Sequence, residues 1–330
     1  MKNGVAVKRR EFVLASLGAL VPSHLVAQTA RLRRIGFLGS GSAAAMVQPI
    51  EAFKSGLREL GYVEGKNIVV EYRWGDGNAE RLAQHTAELL RLNLELIVVW
   101  ATPAALTVKQ ANATIPIVMV SVGDPQHSGL IADLARPRGN VTGMANLNET
   151  VIPKQVELLT EVLPGIRRIA ILHNPKNPSL TPQLKSGEAG ARALGIQPVV
   201  VNAQAPSELE SAFSSIASSS VAALLVLSDP IFLSERRRIA DFATKHRLPT
   251  VFSRSENVEA GGLMSYGTSI TEQFRGGAKY VDKILRGAKP GDLPVEQAST
   301  FEIVINLSTA RALGARIPES LVLRADRVIR

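Results

Sequence analysis

The chain has 330 residues, 45% hydrophobic and only 20% charged, which excludes a disordered protein and leaves room for roughly two packed domains. It contains no cysteine, which removes disulfides, cysteine-held metals, a catalytic thiol and a lipoprotein anchor. The net charge is +9, but aromatics are sparse at 5% and no basic helix is clustered, so no nucleic-acid partner is expected.

Residues 1–27 read as an export signal. Lys2, Lys8, Arg9 and Arg10 precede the apolar stretch Phe12–Val26, which is short for a membrane span, and Ala27 offers a small residue for cleavage. Arg9-Arg10-Glu11-Phe12-Val13 fits a twin-arginine signal as well as an ordinary secretion signal. Without residues 1–27 the chain keeps 34 basic and 28 acidic residues, a net +6. The mature protein is expected to be soluble and exported.

Strand-like and helix-like segments then alternate, the pattern of a parallel sheet. Strands are expected at Arg34–Leu38, Ile68–Tyr72, Leu96–Trp100, Ile117–Val120 and Val141–Met144, with helices at Pro49–Leu60 and Asn78–Leu90. A second set follows at Ile169–Leu172, Pro198–Val201, Ala223–Leu227 and Thr250–Phe252. Its helices are expected at Pro182–Leu194, Ser207–Ala217 and Ile231–His246. Gly61 and Gly195 mark helix ends, and Ser207 with Glu210 reads as a capping box. Beyond these lie a strand at Gly262–Tyr266, a long helix at Ile270–Leu285, a loop at Lys289–Pro294 and a strand at Phe301–Ile305.

The second set echoes the first. RRIGFLGS (Arg33–Ser40) is answered by RRIAILHN (Arg167–Asn174), LIVVWATP (Leu96–Pro103) by LLVLSDP (Leu224–Pro230), and IPIVMVS (Ile115–Ser121) by LPTVFS (Leu248–Ser253). Two similar α/β lobes imply a cleft between them, where small ligands usually bind.

In open α/β sheets the ligand meets the carboxyl ends of the strands. That rule selects Gly39 to Ser42, Thr102-Pro103 and Ser121 to Pro125 in the first lobe, and His173-Asn174, Ser228-Asp229 and Ser253-Arg254 in the second. The ligand-binding candidates are Ser40, Gly41, Ser42, Trp100, Thr102, Asp124, Asn174, Asp229, Ser253 and Arg254. Asp124 and Asp229 each precede a proline and read either as ligand acceptors or as helix caps. Arg254 reads as a bidentate partner for a ligand carboxylate or as an ion-pair residue. Trp100 reads as a stacking surface or as core.

Catalytic signals are poor. GSGSAA (Gly39–Ala44) matches a loose dinucleotide pattern, but Glu71 lies about 30 residues on where about 20 is usual. His173, Ser228 and Asp229 could form a triad on paper, yet no GxSxG elbow supports one. No histidine pair has metal-ligand spacing. No catalytic residue, metal or cofactor is expected, although an exported α/β enzyme and a ligand-sensing module for a membrane signalling partner stand as alternatives.

EYRWGDGNAERL (Glu71–Leu82), ATPAALTVKQA (Ala101–Ala111), IPIVMVSVGDP (Ile115–Pro125), RPRGNVTGM (Arg136–Met144), RRIAILHNP (Arg167–Pro175) and IPESLVLRADRVI (Ile317–Ile329) occur in this order. Together they resemble the ABC-transporter substrate-binding proteins related to the tryptophan-binding TrpX group. The resemblance implies a type I periplasmic-binding-protein fold: α/β, with two Rossmann-like lobes of parallel sheet joined by a three-crossover hinge. It assigns lobe 1 to residues 31–143 plus about 267–292, and lobe 2 to 144–266 plus about 293–330. It also implies a monomeric periplasmic receptor that closes on a small polar or aromatic solute, such as an amino acid or other carboxylate. Its partners would be an ABC permease and that permease's ATPase in the inner membrane.

Overall fold

A computed structural model describes Met1 and residues 32–330 apart from Leu147. The signal expected over residues 1–27 lies, Met1 aside, outside the described residues. The first half of the chain runs β1 (Arg33–Gly39), α1 (Val47–Glu59), β2 (Ile68–Trp74), α2 (Ala79–Leu90), β3 (Leu96–Trp100), α3 (Thr102–Ala111), β4 (Ile117–Gly123) and β5 (Val141–Asn146). It continues through α4 (Asn148–Val162), β6 (Arg168–His173), α5 (Leu180–Ala193), β7 (Gln197–Asn202), α6 (Leu209–Ser218), β8 (Ala223–Val226), α7 (Pro230–Ser234), α8 (Arg236–Lys245) and β9 (Thr250–Phe252). The last part is α9 (Ser255–Glu259), β10 (Met264–Thr268), α10 (Ile270–Leu285), β11 (Glu296–Gln297), β12 (Phe301–Asn306), α11 (Leu307–Leu313), α12 (Glu319–Arg324) and β13 (Arg327–Ile329).

The strands form two sheets. The first has the order β11-β5-β4-β3-β1-β2 and the second β13-β12-β10-β9-β8-β6-β7. The run β2-β1-β3-β4-β5 therefore reappears as β7-β6-β8-β9-β10, which is the structural form of the sequence echo. Pairing is parallel except between β10 and β12. β3 and β4 are buried along their whole length, as central strands covered on both faces should be.

Three passages join the sheets. The chain leaves the first sheet after Asn146, returns after Thr268 and leaves again after Gln297. The ends of β5, β10 and β11 still pair in the sheet they leave. α10 follows a second-sheet strand but covers the first sheet, where Phe274, Tyr280 and Val281 join Phe37 and Phe53 in one core.

Some local expectations change. The helix expected over Ile231–His246 breaks at Glu235, which ends α7 and begins α8, and the break leaves Ser234 facing the first lobe. The capping box at Ser207 does not form. Pro206–Glu208 is a 3₁₀ turn, and the Glu208 carboxylate accepts the Gln204 N–H instead. α3 and α4 have weak sequence signals: small residues dilute the stripe of α3, and α4 contains Pro153.

Candidate functional site

The carboxyl ends of both sheets face each other. At the end of the first sheet the backbone departs from strand geometry. Ala101 has φ 70° and Ser121 has φ 53°, left-handed values that each cost about 1–3 kcal/mol in a residue with a side chain. The β4–β5 register also shifts between Met119 and Val122. Ser121 sits in that irregularity. Its hydroxyl oxygen accepts from Arg254 Nη2 at 2.7 Å and from Asn146 Nδ2 at 3.0 Å.

The facing ends enclose a small, narrow space. Trp100, Phe232, Leu233, Phe252 and Ile270 give it apolar walls, and all five are at least nine-tenths buried. Thr102, Ser121, Asn146, Asp229, Ser253 and Arg254 give it polar groups. Polar and apolar groups line it in similar measure, which suits a small organic solute that carries polar groups.

Five of the ten residues expected at the site line this space: Trp100, Thr102, Asp229, Ser253 and Arg254. The Thr102 hydroxyl donates to the Gly123 carbonyl, and Ser253 Oγ accepts from Gln155 Nε2. Trp100 also packs edge-on against Trp74, so it is both wall and core. Asp229 is the N-cap of α7: Oδ1 accepts from Ile231 N, while Oδ2 accepts from Asn174 and Asn177. Burial pushes its carboxyl above the ordinary range, and these donors pull it back in part.

The other five lie off the lining. Ser40 is buried and spends its hydroxyl twice, donating to the Trp100 carbonyl and accepting from Ala104 N, which ties β1 to the start of α3. Ser42 N donates to Ser234 Oγ across the lobes at 3.1 Å. Gly41 is the clearance for that approach, since a Cβ there would lie 2.9 Å from both Ser234 Oγ and the Trp100 ring. Asp124 accepts the His127 N–H and shapes a turn. Asn174 donates to Asp229 and accepts from Lys176 N, bracing the loop after β6. The paper triad also dissolves: His173 Nδ1 pairs with Asn202 Oδ1, and no hydrogen bond joins the histidine to Ser228 or Asp229 among the described residues. Sequence reasoning passed over Asn146, because the strand was expected to end at Met144.

Arg254 dominates the electrostatics. It is 6% exposed, donates to the Thr268 carbonyl and to Ser121 Oγ, and has no ion-pair partner among the described residues. Burial pulls its pKa down, and the charge of Glu256 opposes this without bonding to it. A buried cation without a carboxylate partner is costly, which marks a place where an anion is stabilised.

The comparisons with known proteins agree on what holds this geometry. The family model described as ABC transporter substrate binding protein matches residues 39–329. The chain belongs to the ABC transporter substrate-binding protein family. It is a solute-binding receptor, with two α/β lobes as in other substrate-binding proteins. A tyrosine-binding protein of Clostridioides difficile (strain R20291) is 26% identical over 263 residues, 80% of this receptor and 75% of that protein. An ABC domain from Streptococcus pneumoniae in complex with L-Trp is 29% identical with a TM-score of 0.84, covering 90% of this receptor and 99% of that chain. A conserved domain protein from Vibrio cholerae, also 29% identical, superposes with a TM-score of 0.86 over 90% of this receptor and 100% of that chain.

Proposed function

We propose that the receptor binds an α-amino acid with an aromatic or large apolar side chain, and that the solute carboxylate pairs with Arg254. The observation that carries this reading is the buried Arg254 guanidinium on the cavity, which has no ion-pair partner among the described residues. The walls formed by Trp100, Phe232 and Phe252 suit an aromatic or branched side chain, and the named ligands of two similar proteins are tyrosine and tryptophan. Trp100, Thr102, Ser121, Asn146, Asp229, Ser253 and Arg254 form the proposed site. Ser40, Gly41, Ser42, Asp124 and Asn174 shape the cleft around it.

In this reading the receptor is a periplasmic monomer that performs no catalysis and delivers its solute to an ABC permease and that permease's ATPase. A solute touching both lobes favours the closed state and so presents a recognisable shape to the permease. Family membership and the export signal expected at residues 1–27 support that placement.

Titration with L-tryptophan, L-tyrosine, L-leucine and short carboxylates, followed by thermal shift, tests the reading. A true ligand at a hundred times its Kd adds about 2.7 kcal/mol of stability. A receptor stabilised by none of the amino acids, but by a sugar or a cation, would refute it.

A further inference from the structure

Asn146 ends β5 and is 2% exposed. Its Nδ2 donates to Ser121 Oγ, the same oxygen that accepts from Arg254. Its Oδ1 is fully buried and has no hydrogen-bond donor. Among the described residues lining the cavity, this is the one fully buried polar side-chain atom left without a partner. Native interiors seldom leave such an acceptor unmet, since burying it without a donor carries a desolvation penalty.

The location of this acceptor is specific. One hydroxyl oxygen binds both side chains, which brings the Asn146 amide and the Arg254 guanidinium together at the cavity. An α-amino acid carries an ammonium one carbon from its carboxylate, so the same solute can satisfy a cation and an acceptor that share a neighbour. Asp229 already accepts three donors, from Ile231 N, Asn174 and Asn177, whereas Asn146 Oδ1 accepts none among the described residues.

We infer that Asn146 is the specificity-determining residue for the α-ammonium group, accepting its N–H through Oδ1 and so separating α-amino acids from carboxylates of the same shape without the amine. The inference rests on the reading that Arg254 holds the carboxylate. Selectivity of this kind comes from leaving a site's buried polar group unpaired when the wrong solute enters.

The experiment compares L-tryptophan with 3-(indol-3-yl)propanoate, and L-tyrosine with 3-(4-hydroxyphenyl)propanoate, by calorimetric titration of the wild type and the variants Asn146→Leu, Asn146→Asp and Arg254→Gln. The wild type should prefer the amino acids by about 10- to 100-fold, the worth of one hydrogen bond to a charged group. Asn146→Leu should lose that preference by weakening the amino acids alone. Asn146→Asp, which keeps the acceptor and nearly the same shape, should retain the amino acids and bind the des-amino acids still more weakly. Equal weakening of both classes by Asn146→Leu would mean that the amide serves the carboxylate, and would overturn the inference, as would an unchanged preference. Binding that is lost in Arg254→Gln while Asn146→Leu keeps the preference overturns the role of Asn146 alone. Binding indifferent to Arg254→Gln, or none of these four probes binding the wild type, overturns the amino-acid reading together with the inference.

Discussion

Arg254 Nη2 lies 2.7 Å from Ser121 Oγ, and the two residues stand at the ends of strands in different sheets. The pair connects the lobes at the point where an anion would enter. Arg254→Gln keeps a donor for Ser121 but removes the charge. We expect solute affinity to fall by more than about a hundredfold, near 3 kcal/mol, because the solute carboxylate is then buried without a partner. The ligand-free protein should melt no lower than the wild type, since an unpaired buried cation has gone. Paired calorimetric titration and thermal melting would check this, and a large fall in the melting temperature would assign Arg254 a structural role.

Gly41 and Ser234 set a second limit on closure. A methyl group at position 41 would press on Ser234 Oγ and the Trp100 ring at the same time. Gly41→Ala should therefore weaken binding by roughly tenfold, about 1.4 kcal/mol, as the closed state becomes harder to reach. Small-angle scattering with saturating solute should report a larger radius of gyration than for the wild type. An unchanged radius and affinity would show that the ring and hydroxyl move aside freely.

Ser40→Ala separates scaffold from site. Among the described residues the hydroxyl serves only the Trp100 carbonyl and Ala104 N, both within the first lobe. Its loss leaves the buried Ala104 N–H unmatched, while the Trp100 carbonyl keeps the Ser40 backbone N–H, and should cost about 1–3 kcal/mol of stability with less than a threefold change in affinity. Denaturant unfolding and titration measure the two effects separately. A loss of affinity with stability intact would return Ser40 to the ligand.

Asp229 gives a pH signature. Burial raises its folded pKa above the unfolded value. The folded state then holds the proton more tightly, so the contribution is most favourable below the unfolded pKa and is lost as pH rises through the folded one. Asp229→Asn keeps an acceptor for Ile231 N but cannot ionise. Melting curves from about pH 3.5 to 8 should show the variant gaining on the wild type as pH rises, then a constant difference. Parallel curves across that range would show that the carboxyl is not raised.

The sheets were legible because their strands are continuous runs of valine, isoleucine and leucine that occur twice. α3 and α4 were not, since small residues and an internal proline blur their helical spacing. Strand-end reasoning selected Arg254, Trp100 and Thr102, which line the cavity because they lie at or just past the ends of β3 and β9. It selected the segment Ser121 to Pro125 and from it took Asp124, which follows a strand and precedes a proline. The left-handed backbone at Ser121, which depends on a register shift between β4 and β5, leaves no mark in the residue pattern. Asn146 lies past the last apolar residue of its strand, and only tertiary packing shows that it is buried.

The passage from β10 into α10 has a consequence for dissection of the molecule. A fragment ending near residue 146 would contain five strands of the first sheet but none of Ile270, Phe274, Tyr280 or Val281, which cover one face of it. Such a fragment exposes a large apolar surface and should aggregate rather than fold. The lobes are thus contiguous in space but interleaved along the chain, and a self-sufficient half would require splicing α10 onto β5 through a designed linker.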